Sequence, residues 1–198
     1  MQDGSERLDQ DVDILETMAY QMAEYLDSEV LFWPMSHGGM PMLTLGGYLM
    51  REQRLLALAN SLSEELQTQT DMAITRFNQA LAERIVRFEN KAHNELQARL
   101  RQWEEYLKEV ERGTAGQSSN FATAVETRAM IAALLDRLSM PPYQTDGRAE
   151  KHLKLLDTRL RNNWQPGEFV WPLEWMAAYP ENEYWWLYGS PRMKEPNH

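Results

Sequence analysis

The histidines and their neighbouring carboxylates are the side chains of this sequence best suited to acid–base or metal chemistry. There are four histidines, and His93 follows Glu89 by four residues on a predicted helix. A dinuclear metal centre in a helical bundle needs Glu-x-x-His pairs on two helices, with further acids directed into the core. The spacing here differs, and both residues flank an apolar helical stripe. We therefore predict an exposed ion pair at Glu89 and His93, with no metal site and no cofactor.

A second candidate combines an arginine and a histidine on the same predicted helix. The segment from Arg87 to His93 resembles the arginine–histidine element of helical ribonucleases of the HEPN superfamily. The resemblance implies RNA cleavage by these two side chains. That superfamily usually has a polar residue after the arginine, whereas this chain has Phe88. A short motif is a hypothesis until its context supports it, so we predict no catalytic residue and rank the HEPN-like ribonuclease third among the possible functions.

The composition excludes several other chemistries. The chain has no cysteine, which excludes disulfide bonds, thiolate zinc sites and cysteine nucleophiles. A formal net charge of −10 repels phosphate backbones at long range, so we expect no nucleic-acid partner. Basic and acidic residues alternate along the longest predicted helix, a pattern typical of a solvated face of mixed charge. The residues of this face are Arg76, Glu83, Arg84, Arg87, Glu89, Lys91, Glu95, Arg99, Arg101, Glu104 and Glu105.

The longest uncharged run, residues 30–50, is long enough to be considered as a membrane span. Prolines and glycines interrupt its middle, and a helix broken in this way would leave backbone groups unsatisfied in a bilayer. We interpret the run as a structured loop and predict no membrane insertion. The first residues have neither a basic start nor an apolar core, so we expect no signal peptide and a cytoplasmic location.

The elements that position these residues are predicted to be helices, organised around one long helix. Apolar residues from Ile74 to Val110 recur with the helical period of about 3.6 residues. No glycine or proline interrupts residues 48–112, so we predict one continuous helix over 44–112, with residues 68–72 as its candidate kink. At about 1.5 Å per residue, this helix exceeds the roughly 40 Å diameter of a compact chain of this length. We therefore expect a second chain to cover its far end, and the rival explanation is that other helices of this chain fold back along it.

The remaining segments complete a single all-α domain over residues 1–198. We predict an N-terminal helix over 1–28, a loop or strap over 29–43, two shorter helices over 120–162 and an aromatic tail over 163–198. Thr44 is the predicted N-cap of the long helix, and Gly113 is its predicted end. The dipeptides at Trp33 and Trp171 are both Trp-Pro and follow β-favouring residues, which predicts two short extended straps. The expected architecture is an elongated helical hairpin or bundle.

Three functions follow from this organisation. The leading hypothesis is a non-enzymatic interaction or scaffold protein that acts through its long helix and aromatic tail, with a second copy or another protein as partner. The alternative is a small-ligand-binding regulatory bundle with a pocket near Trp33 and His37, and the ribonuclease ranks third. The predicted partner- or ligand-binding residues are Trp33, His37, Trp103, Leu107, Val110, Trp175, Trp185 and Trp186.

Overall fold

The computed structural model describes residues 4–35, 39–113, 121–145 and 147–192. Most of them are helical, which confirms the all-α class, and a two-stranded antiparallel sheet is present as well. The chain divides into two compact units, Met1–Glu95 (unit 1) and Leu96–His198 (unit 2). None of the helices within the described ranges combines the length and apolar character needed to cross a membrane.

The predicted continuous helix over 44–112 is wrong, because three helices occupy this range. They are α2 (Leu45–Ala57), α3 (Glu64–Glu83) and α4 (Ile85–Arg112), and a short 3₁₀ turn, Ala59–Ser61, follows α2. The hydroxyl of Ser63 starts α3 afresh by accepting a hydrogen bond from the amide of Leu66. The expected kink at 68–72 lies inside the regular helix α3.

The second break, between α3 and α4, consists of one residue. Arg84 has φ −137° and ψ 36°, which lies outside the helical region. Phe77 and Leu81 before it and Phe88 after it are all buried. The apolar spacing continues from Leu81 to Phe88, although Ile85 directly after the break is 41% exposed, and for this reason the sequence pattern did not reveal the break.

Unit 1 contains α1 (Gly4–Asp27), α2, α3 and the start of α4. Its core has an aromatic centre, in which the ring of Tyr48 stacks on Phe77 at 4.1 Å between centroids and Phe77 meets Phe88 edge-on at 6.3 Å. The predicted N-cap of α2 is confirmed, since the hydroxyl of Thr44 accepts a hydrogen bond from the amide of Gly47 at 3.0 Å.

Unit 2 contains the rest of α4, then α5 (Phe121–Ser139), α6 (Gly147–Asn162) and a hairpin. The predicted end of α4 is confirmed, because Gly113 has a positive φ of 73°. The hairpin strands are β1 (Trp164–Phe169) and β2 (Tyr188–Pro191), and a 3₁₀ helix, Leu173–Ala178, lies between them. Much of the predicted aromatic tail is therefore a hairpin and its connection.

One glycine makes the hairpin possible. Gly189 has a φ of +143°, and a Cβ atom at this position would lie 2.2 Å from the carbonyl oxygen of Gln165 on the paired strand. Such a distance is far inside van der Waals contact, so only glycine allows the two strands to approach here.

Candidate functional site

The first strap, residues 29–35, is held against unit 1 by a buried lysine. The ammonium group of Lys91 donates hydrogen bonds to the carbonyl oxygens of Ser28 at 2.9 Å and Val30 at 2.7 Å. It also lies over the ring of Tyr25, 4.3 Å from the centroid. Lys91 is only 6% exposed, and this burial lowers the pKa of its amino group, although neighbouring carboxylates partly oppose the shift.

Trp33, a predicted site residue, is half-buried in this strap. Its indole N–H donates to the side-chain oxygen of Gln21 at 3.0 Å, and its ring meets Tyr25 edge-on at 6.4 Å. Its backbone pairs with Leu43 through two hydrogen bonds, so the segment is extended as predicted. His37, the other residue of the expected pocket, lies outside the described residues.

The face of mixed charge on α4 is not solvated throughout. Lys91, Glu95 and Arg99 are all buried, which corrects the prediction for these positions. The carboxylate of Glu95 is fully buried and accepts hydrogen bonds from the amides of Leu45 at 2.8 Å and Gly46 at 3.1 Å. It therefore stabilises the N-terminus of α2, where the helix dipole favours a negative charge.

A buried charge pair joins α1 to α2. Arg54 donates two hydrogen bonds of 2.6 Å to the carboxylate of Asp11, and both side chains are buried. Arg51 approaches the same carboxylate at 3.3 Å. A bidentate pair of this kind satisfies both charges inside the protein, so its role is structural.

A cleft of about 360 Å³ opens between α1 and α3 in unit 1. An aromatic ring is its most exposed apolar element: Tyr20 is 73% exposed, and the guanidinium of Arg76 lies over the ring at 5.2 Å from the centroid. Gln21, which accepts the indole hydrogen bond of Trp33, also lines this cleft. We call it the α1–α3 cleft, and its lining is completed by Asp13, Glu16, Thr17 and Met40.

The two residues of the proposed ribonuclease element, Arg87 and His93, have different surroundings. Arg87 donates a hydrogen bond to the carbonyl oxygen of Asp27 at 2.9 Å and lies 3.6 Å from the carboxylate of that residue. His93 lies six residues further along α4, about 120° around the helix axis, so the two side chains leave α4 in different directions. The described part of the chain contains no group of three or more histidine, aspartate or glutamate side chains that could hold a metal ion.

The predicted contact strip at the far end of the long helix is buried. Trp103 is 0% exposed, and Leu107 and Val110 are 2% exposed each. The argument that a second chain must cover this strip is therefore wrong, because unit 2 covers it. Within unit 2, an ion pair joins α6 to α4: Arg159 donates two hydrogen bonds of 2.9 Å to the carboxylate of Glu111.

Of the three tryptophans predicted as binding residues in the tail, one is fully buried and two are partly exposed. Trp186 is 1% exposed, and Arg128 lies over its ring at 4.9 Å from the centroid. Trp185 is partly exposed and carries the guanidinium of Arg161 at 3.8 Å. Trp175 is also partly exposed and lies among other rings of the tail. Trp186 therefore belongs to the core of unit 2, whereas Trp175 and Trp185 are partly accessible at its surface.

The exposed apolar residues of the tail are ones that the sequence analysis did not select. Leu173 is 71% exposed and Met176 is 43% exposed, and both lie on the 3₁₀ helix Leu173–Ala178. We call them the tail pair. Close to them in the chain, the ring centroid of Trp171 lies 6.0 Å from that of Trp175 and 5.0 Å from that of Tyr179. The signal available in the sequence was their spacing of three residues, which places two side chains on one side of a 3₁₀ helix.

No family model, no curated protein and no solved structure matches this chain.

Proposed function

We propose that the protein is a non-enzymatic interaction or scaffold protein that pairs with a second copy of itself through the outer side of its tail. The observation that carries this proposal is the tail pair, Leu173 and Met176, two exposed apolar side chains on a 3₁₀ helix. Exposed apolar groups that lie next to one another mark interaction sites more often than single ones do.

The ordered aromatic residues next to the tail pair in the chain favour binding. Trp171 is buried, and its indole N–H donates to the carbonyl oxygen of Ala122 at 2.8 Å. The rings of Trp171 and Tyr179 meet edge-on, both residues are buried, and they flank the 3₁₀ helix in the chain, so its two ends are held by ordered side chains. A contact surface that is already ordered loses less conformational entropy when it binds.

Self-association is the simplest use of such a surface. In a two-fold dimer, the same patch of each copy meets its equivalent, so a small apolar patch can be its own partner. This proposal keeps the tail as the contact region that the sequence predicted. It replaces the far end of the long helix, whose side chains are buried in unit 2.

Size-exclusion chromatography with light scattering tests this proposal. We expect the wild type to be a dimer at high micromolar concentration, and the double variant Leu173→Glu with Met176→Glu to be a monomer with unchanged helix content. Leu155→Glu is the matched control, because Leu155 is 66% exposed on α6 in the same unit and should leave the dimer intact. A wild type that stays monomeric would refute the proposal.

A second function, ligand binding, is favoured by the α1–α3 cleft. Its volume of about 360 Å³ is at the lower end of the range for small-molecule sites, about 300–1,000 Å³. Gln21 lines this cleft and accepts the indole hydrogen bond of Trp33, and this link supports the alternative hypothesis of a pocket near Trp33. A saturable binding isotherm that is lost when Tyr20 is replaced by alanine would support this function.

A further inference from the structure

We propose that the α1–α3 cleft binds a ligand through a guanidinium group, and this inference rests on the second proposed function, ligand binding at the cleft. The group would stack on the open face of Tyr20 and pair with the carboxylates of Asp13 and Glu16. These three side chains all belong to α1 and line the same cleft.

The helix geometry places the three residues together. Asp13, Glu16 and Tyr20 follow one another at steps of three and four residues, which puts them on one side of α1. Asp13 and Tyr20 are exposed, and Glu16 is partly exposed. A ligand on the ring of Tyr20 would therefore have the carboxylate of Glu16 about one helical turn away and that of Asp13 about two turns away.

The charge of the cleft favours a cation. Among the residues that the structure describes, neither Asp13 nor Glu16 has an ion-pair partner. The lining has these two carboxylates and the single guanidinium of Arg76, so it keeps one unbalanced negative charge. The whole chain adds to this field with its formal net charge of −10.

The ring of Tyr20 already contacts one guanidinium group. Arg76 lies over the ring at 5.2 Å from the centroid, while 73% of Tyr20 remains exposed. Because most of Tyr20 is exposed, its ring leaves room for a second planar cation. A guanidinium fits better than an ammonium group, because it stacks flat on an aromatic ring and can pair with a carboxylate through two parallel hydrogen bonds.

The guanidinium could come from a small molecule or from an arginine side chain of a partner protein. Isothermal titration calorimetry on the full chain separates these sources. The probes are N-acetyl-arginine amide, the corresponding lysine and glutamate compounds, and a nine-residue peptide with one central arginine between glycines and serines. Tight binding of the peptide alone would indicate a protein partner, and equal binding of the free arginine compound would indicate a small molecule.

We expect the arginine probes to bind at least about tenfold more tightly than the lysine compound, and the affinity to fall as salt is added. Tyr20→Ala and the double variant Asp13→Asn with Glu16→Gln should each weaken binding by about tenfold or more. The control is Glu150→Gln with Glu181→Gln, which removes two exposed carboxylates of unit 2 and should bind as the wild type does.

The outcomes distinguish a failure of ligand binding at the cleft from a failure of the inference about its ligand. If no probe of either charge binds, ligand binding at the cleft fails, and this inference fails with it. If the glutamate compound binds through Arg76 while the arginine probes do not, the cleft is a binding site but the inference about its ligand is overturned. Arginine binding that survives the Asp13 and Glu16 substitutions would also overturn it. Circular dichroism checks that each variant is folded.

Discussion

Two segments of this protein share a Trp-Pro sequence and are held in different ways. In unit 1, the strap of Trp33 is fixed by polar groups: the ammonium of Lys91 binds two carbonyl oxygens next to it, and Gln21 accepts its indole hydrogen bond. In unit 2, the strap of Trp171 is fixed mainly by aromatic rings, with Phe169, Trp175 and Tyr179 all within 6.5 Å between centroids.

The same Trp-Pro sequence can therefore be held in place by two kinds of interaction. A few directional hydrogen bonds fix the first strap, so removing one charged group should release it. Many weak contacts between rings fix the second strap, so removing one large side chain should leave a cavity. The following predictions test this comparison, beginning with the largest expected effect.

The core of unit 2 should not tolerate charge. We expect Trp103→Glu with Leu107→Glu to lose helix content and a cooperative melt, because both side chains are fully buried and two unpaired carboxylates would replace them. Circular dichroism with thermal melting is the measurement. A folded, helical variant would show that these positions are accessible after all, as the length of the helix first suggested.

The two tryptophans of the straps should differ in their contribution to stability. Trp171 is 6% exposed, so Trp171→Ala should lower the free energy of unfolding by about 3–5 kcal/mol. Trp33 is half-buried, and Trp33→Ala should cost about 1–2 kcal/mol. Urea melts of both variants check this. Equal losses would contradict the distinction between the straps.

Two lysines of α4 provide a matched pair for the first strap. Lys91→Met keeps the length of the side chain but leaves two carbonyl oxygens without their donor, which should cost about 1–3 kcal/mol. Lys108 makes ion pairs with Glu104 and Glu105 at the surface, so Lys108→Met should have a much smaller effect. Denaturant melts that show the same loss for both would mean that Lys91 does not anchor the strap.

The smallest effect is a pH dependence in the aromatic part of unit 2. Burial, and to a lesser degree the carboxylate of Glu109, raises the pKa of Tyr106 to about 12. Between the ordinary value of 10.0 and about 12, the folded state keeps a proton that the unfolded state releases, so stability falls as pH rises through this range. Melting temperatures of the wild type should therefore decline more steeply above pH 10 than those of Tyr106→Phe. Parallel curves would contradict this.

Local signals in the sequence were sufficient for several elements. The cap at Thr44 and the end at Gly113 depend only on neighbouring backbone groups, and both were found where the residue types indicated them. The apolar stripe from Phe88 to Val110 was likewise identified as a buried helix face, because its spacing records which side of the helix avoids water.

Features that depend on distant partners were missed. The spacing could not show the break at Arg84, because the residues on both sides remain in phase. Nor could it show the Gly189 contact, in which the backbone of Gln165 on another strand comes close. The expected dimer contact at Trp103 failed for the same reason: the sequence shows that a face must be covered, but not which part of the chain covers it.

By itself, then, the sequence determined the helical class, most helix faces and the caps, because these follow from periodicity and from hydrogen bonds within a few residues. The tertiary structure alone decided which charges are buried. Glu95 and Lys91 look like members of an exposed, mixed face, yet one accepts the amides of α2 and the other binds the carbonyls of the first strap. The cost of burying a charge is met by partners about 50 or 60 residues away in the chain, and only folding brings those partners together.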